Sequence, residues 1–451
     1  MKKIILFLAG ILAAAAFVPQ ASALPLFARQ TGMACSSCHF QHFPMLNNFG
    51  RAFKASGYTI IGAEIKVEDE GLSIPSTLNM AVLATMGYAK TNATGAGTPD
   101  GVRNPGDGSF YVPGTNGEFS LFVGGRVSEN AGALAELGML QDAGTGAGLS
   151  SAKFPMLWEV TEGTRAGVVP FTTSGQGASY GYEALNTGAN AIHTMLFVGG
   201  DFNGSIAPVL SAQQYIGTGA AATGAAFVVN NPMGFINLTK FHQFGPADLG
   251  GTGAALSSTY LRVAGTFDLA GWDIGVGVQN WNGTSTTVAF PDVVTGVVAE
   301  IVPTFGLSDT KATAIDGQMQ GELGKMPVGF YASYARAPVV DPVAGGTLGN
   351  SFNGGTATKS SFNLSAELGV IPEKVTIGAA IRRGKSGGNA GSGVAGANDS
   401  DNAFLIEGSY KLAQNMLLNL IYTSQSGNFW SKANADALGS KQTTLNLATI
   451  W

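Results

Sequence analysis

Beyond its first 23 residues the chain has no run of 18 consecutive apolar residues. It therefore lacks what a membrane-spanning helix is made from. Yet only 12% of its residues are charged, about half the usual ~25%. Glycines number 65 in 451 residues, about twice the usual ~7%. Hydrophobic residues are 45%, and with few charges to offset them the mean hydropathy is +0.19. A surface this poor in charge aggregates in water unless lipid covers it. With spanning helices excluded, a closed β-barrel is the structure that satisfies every backbone group inside a bilayer.

The downstream pattern agrees. Segments of about ten residues alternate weakly, as lipid-out, lumen-in strands do. Phe362-Asn-Leu-Ser-Ala-Glu-Leu-Gly is one example and Leu417-Leu-Asn-Leu-Ile-Tyr another. Short turns are expected at Glu129-Asn130, Ala270-Gly271, Gly324-Lys325, Pro372-Glu373 and Gln414-Asn415. Long Gly/Asn/Ser/Thr-rich stretches at 91–117, 174–190, 339–359, 385–401 and 426–441 separate the other strands. Short periplasmic turns alternating with long external loops is the barrel arrangement. Leu445, Leu447, Thr449 and Trp451 share one face, and the chain stops on an aromatic, as outer-membrane barrels do. A soluble β-sandwich or β-helix is the alternative, but a sandwich of this length needs several domains with linkers, and none is visible. The expected fold is all-β: an antiparallel transmembrane barrel over 76–451. Periplasmic termini require an even strand number. Roughly 23 residues per strand and connection gives about 16, with 14 and 18 as neighbours.

The first 23 residues read as an export signal. Lys2 and Lys3 precede an apolar stretch from Ile4 to Val18, and Ala21-Ser22-Ala23 is a small-residue cleavage site. The mature chain is expected to begin at Leu24; a retained membrane anchor is the other reading. Removing Lys2 and Lys3 leaves 22 basic residues against 29 acidic, a net charge of −7. That balance argues against nucleic acid as a partner. Export, low charge and missing helices together point to a bacterial outer membrane with both termini periplasmic.

Both cysteines lie in Cys35-Ser36-Ser37-Cys38-His39. C-x-x-C-H is the attachment pattern of haem c. Two thiols three apart reach two vinyl groups of one haem, and the adjacent His39 is the proximal iron ligand. Zinc would want further Cys or His ligands nearby, and a disulfide would not need His39. Pro44 reads as a first helical residue and Gly57 as a stop. Between them Leu46, Phe49, Gly50 and Phe53 recur at helical spacing. This face would cover either haem or barrel. Residues 24–62 are too few to make a core of their own, so the haem segment must borrow burial from the barrel. Residues 63–75 read as a linker.

His42, one turn from His39, suits a hydrogen-bonding or surface role better than the opposite haem face. The distal ligand could be Met33, Met45, His193, His242 or none. Arg29 could pair with a haem propionate, or form a helix-end or lumen salt bridge. Asn398-Asp399-Ser400-Asp401 reads as a solvated loop tip, and Arg382, Arg383 and Lys385 as a strand leaving the membrane. No nucleotide-binding loop appears.

The run from Ala23 through Pro25, Phe27-Ala28-Arg29-Gln30-Thr31-Gly32 and Cys35-Ser-Ser-Cys38-His39, then Phe43-Pro44, Leu46, Phe49-Gly50 and Phe53-Lys54, resembles a known start. It is similar to the fused outer-membrane monohaem cytochrome c–porins of Fe(II)-oxidising bacteria. The resemblance is dense over about 35 residues and rests on architecture beyond them. It implies electron transfer from an extracellular donor, Fe(II) above all, through one haem c to a periplasmic cytochrome c or cupredoxin. In that reading the chain is an iron(II)-oxidising cytochrome. The other expectations are a conduit for a different donor, and a diffusion porin in which the haem segment is a plug.

Overall fold

The computed structural model describes residues 26–62, 64–69, 72–94, 106, 108–114, 116–139, 148–188, 211–246, 255–289, 304–341, 347–388 and 397–451. The expected signal at 1–23, the start at Leu24 and His193 lie outside these residues.

Nineteen hydrogen-bonded segments close into one barrel. Ser109–Pro113, Asn116–Gly117 and Phe119–Arg126 share one pass, and Gly148–Lys153 and Met156–Thr161 share another. The result is a closed antiparallel barrel of 16 strands, the number expected. The last strand, Lys441–Ile450, pairs antiparallel with the first, Met80–Thr91, from Gln442 opposite Thr91 to Ile450 opposite Leu83. That pairing removes both sheet edges, which is what lipid demands.

The wall is turned inside out relative to a soluble protein. Along Lys359–Ile371, Ser361, Asn363 and Glu367 are buried toward the lumen, while Phe362 and Leu364 face outward, 40% and 42% exposed. Ile377, Phe404, Ile406, Leu420 and Leu445 continue the outward apolar band. Inward, Arg262, Gln279, Asp316, Asn419 and Asn446 are buried. A period of two places alternate residues on opposite faces, so weak alternation in sequence becomes a lipid face and a polar lumen.

All five expected short turns join consecutive strands. Ala270 (φ +52°) and Gly271 (φ +80°) are both left-handed, the type I′ geometry that matches strand twist. Two further short turns, around Gly163 and Met233, escape the composition signal. The expected linker 63–75 contains a hairpin, Lys66–Asp69 with Leu72–Pro75. In the expected loop 339–359, Thr347–Asn350 pairs with Thr304–Asp309, which pairs with Thr284–Ala289, in a small separate sheet.

One expected external loop is corrected. Residues 175–188 turn into the barrel, where Ser179, Tyr180, Tyr182, Glu183 and Leu185 are buried. Their Gly/Ser/Asn-rich composition suits water, but a polar lumen wall supplies the same hydrogen bonds. The tip Asn398–Asp401 is corrected too. Asp401 is buried, accepting from Arg382 Nη2 (2.6 Å), Tyr215 Oη (3.1 Å) and Trp430 Nε1 (3.0 Å). The acidic run is thus neutralised by the wall, and Arg382 faces inward while Arg383 and Lys385 stay exposed.

Candidate haem site

Residues 26–62 fill one end of the lumen, the end of the short turns. A helix, Leu26–Thr31, leads to the tight turn Cys35–Ser37, and a second helix spans Asn48–Ala55. The segment's own core is small: Phe27 against Phe53 and Tyr58, ring centroids 4.9 Å apart in both pairs. The rest of its burial comes from the wall, as its length requires.

The motif closes as a single turn. Cys38 N and His39 N both donate to Cys35 O, at 3.1 and 2.9 Å. Both thiols are free and half-buried. Asn47 locks this turn onto the second helix. Its backbone N donates to Cys38 O (3.0 Å), and its Nδ2 to Ser36 O (3.3 Å) and Ser37 O (3.0 Å). Its Oδ1 accepts from Gly50 N (2.9 Å), capping the helix. The helix therefore begins after Asn47 and not at Pro44. Asparagine is a preferred cap, and Pro44 instead follows a cis peptide bond to Phe43. Asn47 is the site residue that sequence reading missed; its cap chemistry was the available signal. Gly57, left-handed at φ +74°, does end the helix as expected.

His39 Nδ1 donates to Met45 O at 3.1 Å. That bond fixes the tautomer and leaves Nε2 without a proton, as haem-ligating histidines require. Burial pushes the His39 pKa down to about 4, so the ring is neutral at pH 7. Burial, with Cys35 beside it, pushes the Cys38 thiol up to about 11. Burial also raises Cys35, while the Lys411 ammonium pulls the other way. Two thiols and one oriented, neutral imidazole on one turn fit haem c. Cys35 and Cys38 would hold it covalently, and His39 Nε2 would ligate iron.

Gly50 packs directly on the motif: a Cβ there would collide with the Cys38 carbonyl. Gly50→Ala is expected to displace the turn and cut covalent haem to a small fraction of wild type on haem-stained gels, because backbone cannot yield as a flexible side chain does.

The other predicted ligands do not converge. Met45 is fully buried against Tyr331, Ala380, Leu405 and Ile421, and its carbonyl already serves His39. Met33 is 38% exposed. His242 ends the strand Gly234–His242, about 25 Å along it from the end where the second helix packs. Arg29 Nη1 donates to Met80 O at the first strand, a partner neither of its expected roles anticipated.

His42 takes the hydrogen-bonding role. It is buried, with Nε2 on Glu367 Oε2 and Nδ1 donating to Phe43 O, both 2.9 Å. Burial disfavours its charge, but the Glu367 carboxylate prevails, with Glu407 assisting, and raises its pKa to about 9. A raised folded pKa gives stability that is complete below the unfolded value near 6.5 and lost as pH rises through about 9. Protease cleavage within residues 26–62 is therefore expected to accelerate between pH 7 and 9.5. His42→Gln, which does not titrate, is expected to abolish that dependence. Arg51 Nη2 adds a second tie, to Asp273 Oδ2 at 2.5 Å.

From the opposite end, residues 175–188 reach down to the haem segment. Asn186 Oδ1 accepts from Leu46 N and its Nδ2 donates to Leu46 O, both 2.9 Å. Arg262 on the wall holds the descending segment. It forks onto Asp316 (2.5 and 2.9 Å) and reaches Glu183 Oε2 from Nε (3.1 Å), with no solvent exposure at any of the three.

A scan of protein-family models finds no match, and neither does a search of curated proteins. Solved structures do match. OmpT of Vibrio cholerae, described as outer-membrane expressed, has 9% identity and a TM-score of 0.47, covering 86% of this chain and 100% of that one. Salmonella typhi OmpF, in complex with daunomycin, has 11% identity and a TM-score of 0.45 over 86% and 100%. OprB of Pseudomonas putida has 11% identity and a TM-score of 0.51 over 83% and 94%. At this identity the likeness to OprB speaks for the fold alone: the chain is a closed porin-like β-barrel whose lumen holds a C-x-x-C-H segment.

Proposed function

We propose that this chain is an outer-membrane electron-transfer protein with one covalent haem c. It takes electrons from an extracellular donor, Fe(II) by its resemblance, and gives them to a periplasmic cytochrome c or cupredoxin. The observation that carries this reading is the His39 Nδ1 bond to Met45 O on the same turn as two free thiols. Haem, when bound, supplies one-electron exchange, and the protein supplies access and electrostatics. Asn47 and Gly50 keep the turn rigid. His42 and Arg51 tie the segment to the wall. The motif is half-buried at the short-turn end, near Lys411, which suits docking of a periplasmic carrier. The other approach passes residues 175–188, so a small cation reaches the motif more readily than a protein does.

A diffusion porin is the second reading, favoured by the barrel fold. The Asn186–Leu46 contact weighs against it, since it ties the haem segment to the opposite loop inside the lumen.

Detergent-purified, oxidised protein mixed with Fe(II) tests both. We expect covalent haem whose spectrum changes to the reduced form within the mixing experiment. Absence of a reducible haem band, together with high conductance in planar bilayers, would leave the porin.

A further inference from the structure

Three neighbouring strands, Met326–Ala337, Lys359–Ile371 and Val375–Ser386, bring cations together at the long-loop end of the barrel. Arg336 stands opposite Ser360, and Ser360 opposite Lys385. Two strand spacings put Arg336 and Lys385 about 10 Å apart. Arg383 lies two residues from Lys385 on the same face, about 7 Å along the strand. All three are exposed and point away from the lumen, whereas their neighbour Arg382 turns inward onto Asp401. None of the three makes an ion pair or a side-chain hydrogen bond among the described residues.

Their depth is set by what shares their face. The row of Arg383 runs through Phe362 and Tyr334 to Ile315, all exposed. The next row inward along the strands holds Leu364, Ile381 and Phe404. Aromatic residues ring a barrel at the membrane interface, with the apolar band beneath them. Arg336, Ser360, Lys385 and Ser400 form the row on the other side, beyond the aromatics. Neither row, from Ile315 to Asn402 or from Thr313 to Ser400, contains a carboxylate. Three like charges this close repel one another, and only an anion supplied from outside the chain relieves them.

We infer that this outward cluster binds a phosphorylated lipid of the outer leaflet. The longer loops of bacterial barrels face outside, which sets this rim at the level of the outer headgroups. Arg336, Arg383 and Lys385 meet the phosphate, and the two guanidinium forks match its oxygens. The acyl chains lie on Phe362 and Leu364. A lipid is the occupant because the cations border the lipid-facing apolar band and not the lumen. The inference is independent of haem, since the cluster lies on the outside of the wall.

Native mass spectrometry of the detergent-purified protein, titrated with lipid A that carries two phosphates, tests it. Lys385→Gln is expected to weaken the first binding event about fivefold, and Arg336→Gln/Arg383→Gln/Lys385→Gln about a hundredfold, from about 1 kcal/mol per cation near an anionic lipid surface. Dephosphorylated lipid A is expected to bind wild type no better than the phosphorylated form binds the triple variant. Lys90→Gln/Lys441→Gln removes two exposed cations elsewhere on the same rim and is expected to leave the first event unchanged. Heat-modifiable gel migration checks each barrel, and Lys385→Gln decides alone should the triple variant fail to fold. Wild-type affinity in the cluster variants, equal binding of the dephosphorylated lipid, or an equal loss in Lys90→Gln/Lys441→Gln overturns the inference.

Discussion

Arg262→Leu is expected to open the lumen. The substitution strands Glu183 and Asp316, two fully buried carboxylates whose shared partner is Arg262. Removing one member of a buried ion pair costs about 3–5 kcal/mol, more than the contacts of a Gly-rich segment readily absorb. Residues 175–188 should then leave the wall, taking with them the Asn186 bonds to Leu46. Single-channel recordings in planar bilayers are expected to show conductance rising several-fold over wild type. The barrel itself should persist, because leucine keeps the backbone pairing of this position with Asn237 and Gln279. Arg262→Lys keeps the charge but loses the fork, so it should fall between the two. Unchanged conductance in Arg262→Leu would mean that the inward segment is held by something other than this network.

Cys35→Ala with Cys38→Ala is expected to remove all covalent haem while the barrel still assembles. Closure depends on Lys441–Ile450 meeting Met80–Thr91, a backbone pairing in which neither cysteine takes part. The haem segment retains the His42–Glu367 and Arg51–Asp273 ties, so it should stay in the lumen. Haem-stained gels and intact mass read the first half of the prediction, and heat-modifiable migration the second. Loss of the barrel along with the haem would make haem attachment a folding requirement and the two parts one unit.

The periodic parts of the protein were legible because they obey local rules. Alternation along Phe362–Gly369 announces a half-lipid strand whatever its neighbours are. Ala270-Gly271 announces a tight hairpin because few dipeptides turn that sharply in the left-handed region. Cys35, Cys38 and His39 share one turn because a spacing of three is short enough for a single backbone turn to close over it. Arg29 shows where this stops. A guanidinium near a haem motif suggested a propionate or a salt bridge; its Nη1 meets the backbone of Met80, 51 residues on, which no local pattern announces. Residues 175–188 failed for a related reason. Water and a polar lumen ask for the same side chains, so composition cannot tell an external loop from one that folds inward.

By itself the sequence determined the barrel, its five legible turns and the spacing of Cys35, Cys38 and His39. Each follows from a repeat of two, a dipeptide or a spacing of three, all readable within a dozen residues. The tertiary structure alone decided what the lumen contains. His42 meets Glu367 across 325 residues, Arg51 meets Asp273 across 222, and Asn186 meets Leu46 across 140. Such pairs carry no local signal, because a buried charge is tolerable only where the folded chain brings its partner. Closing the barrel is what brings them together.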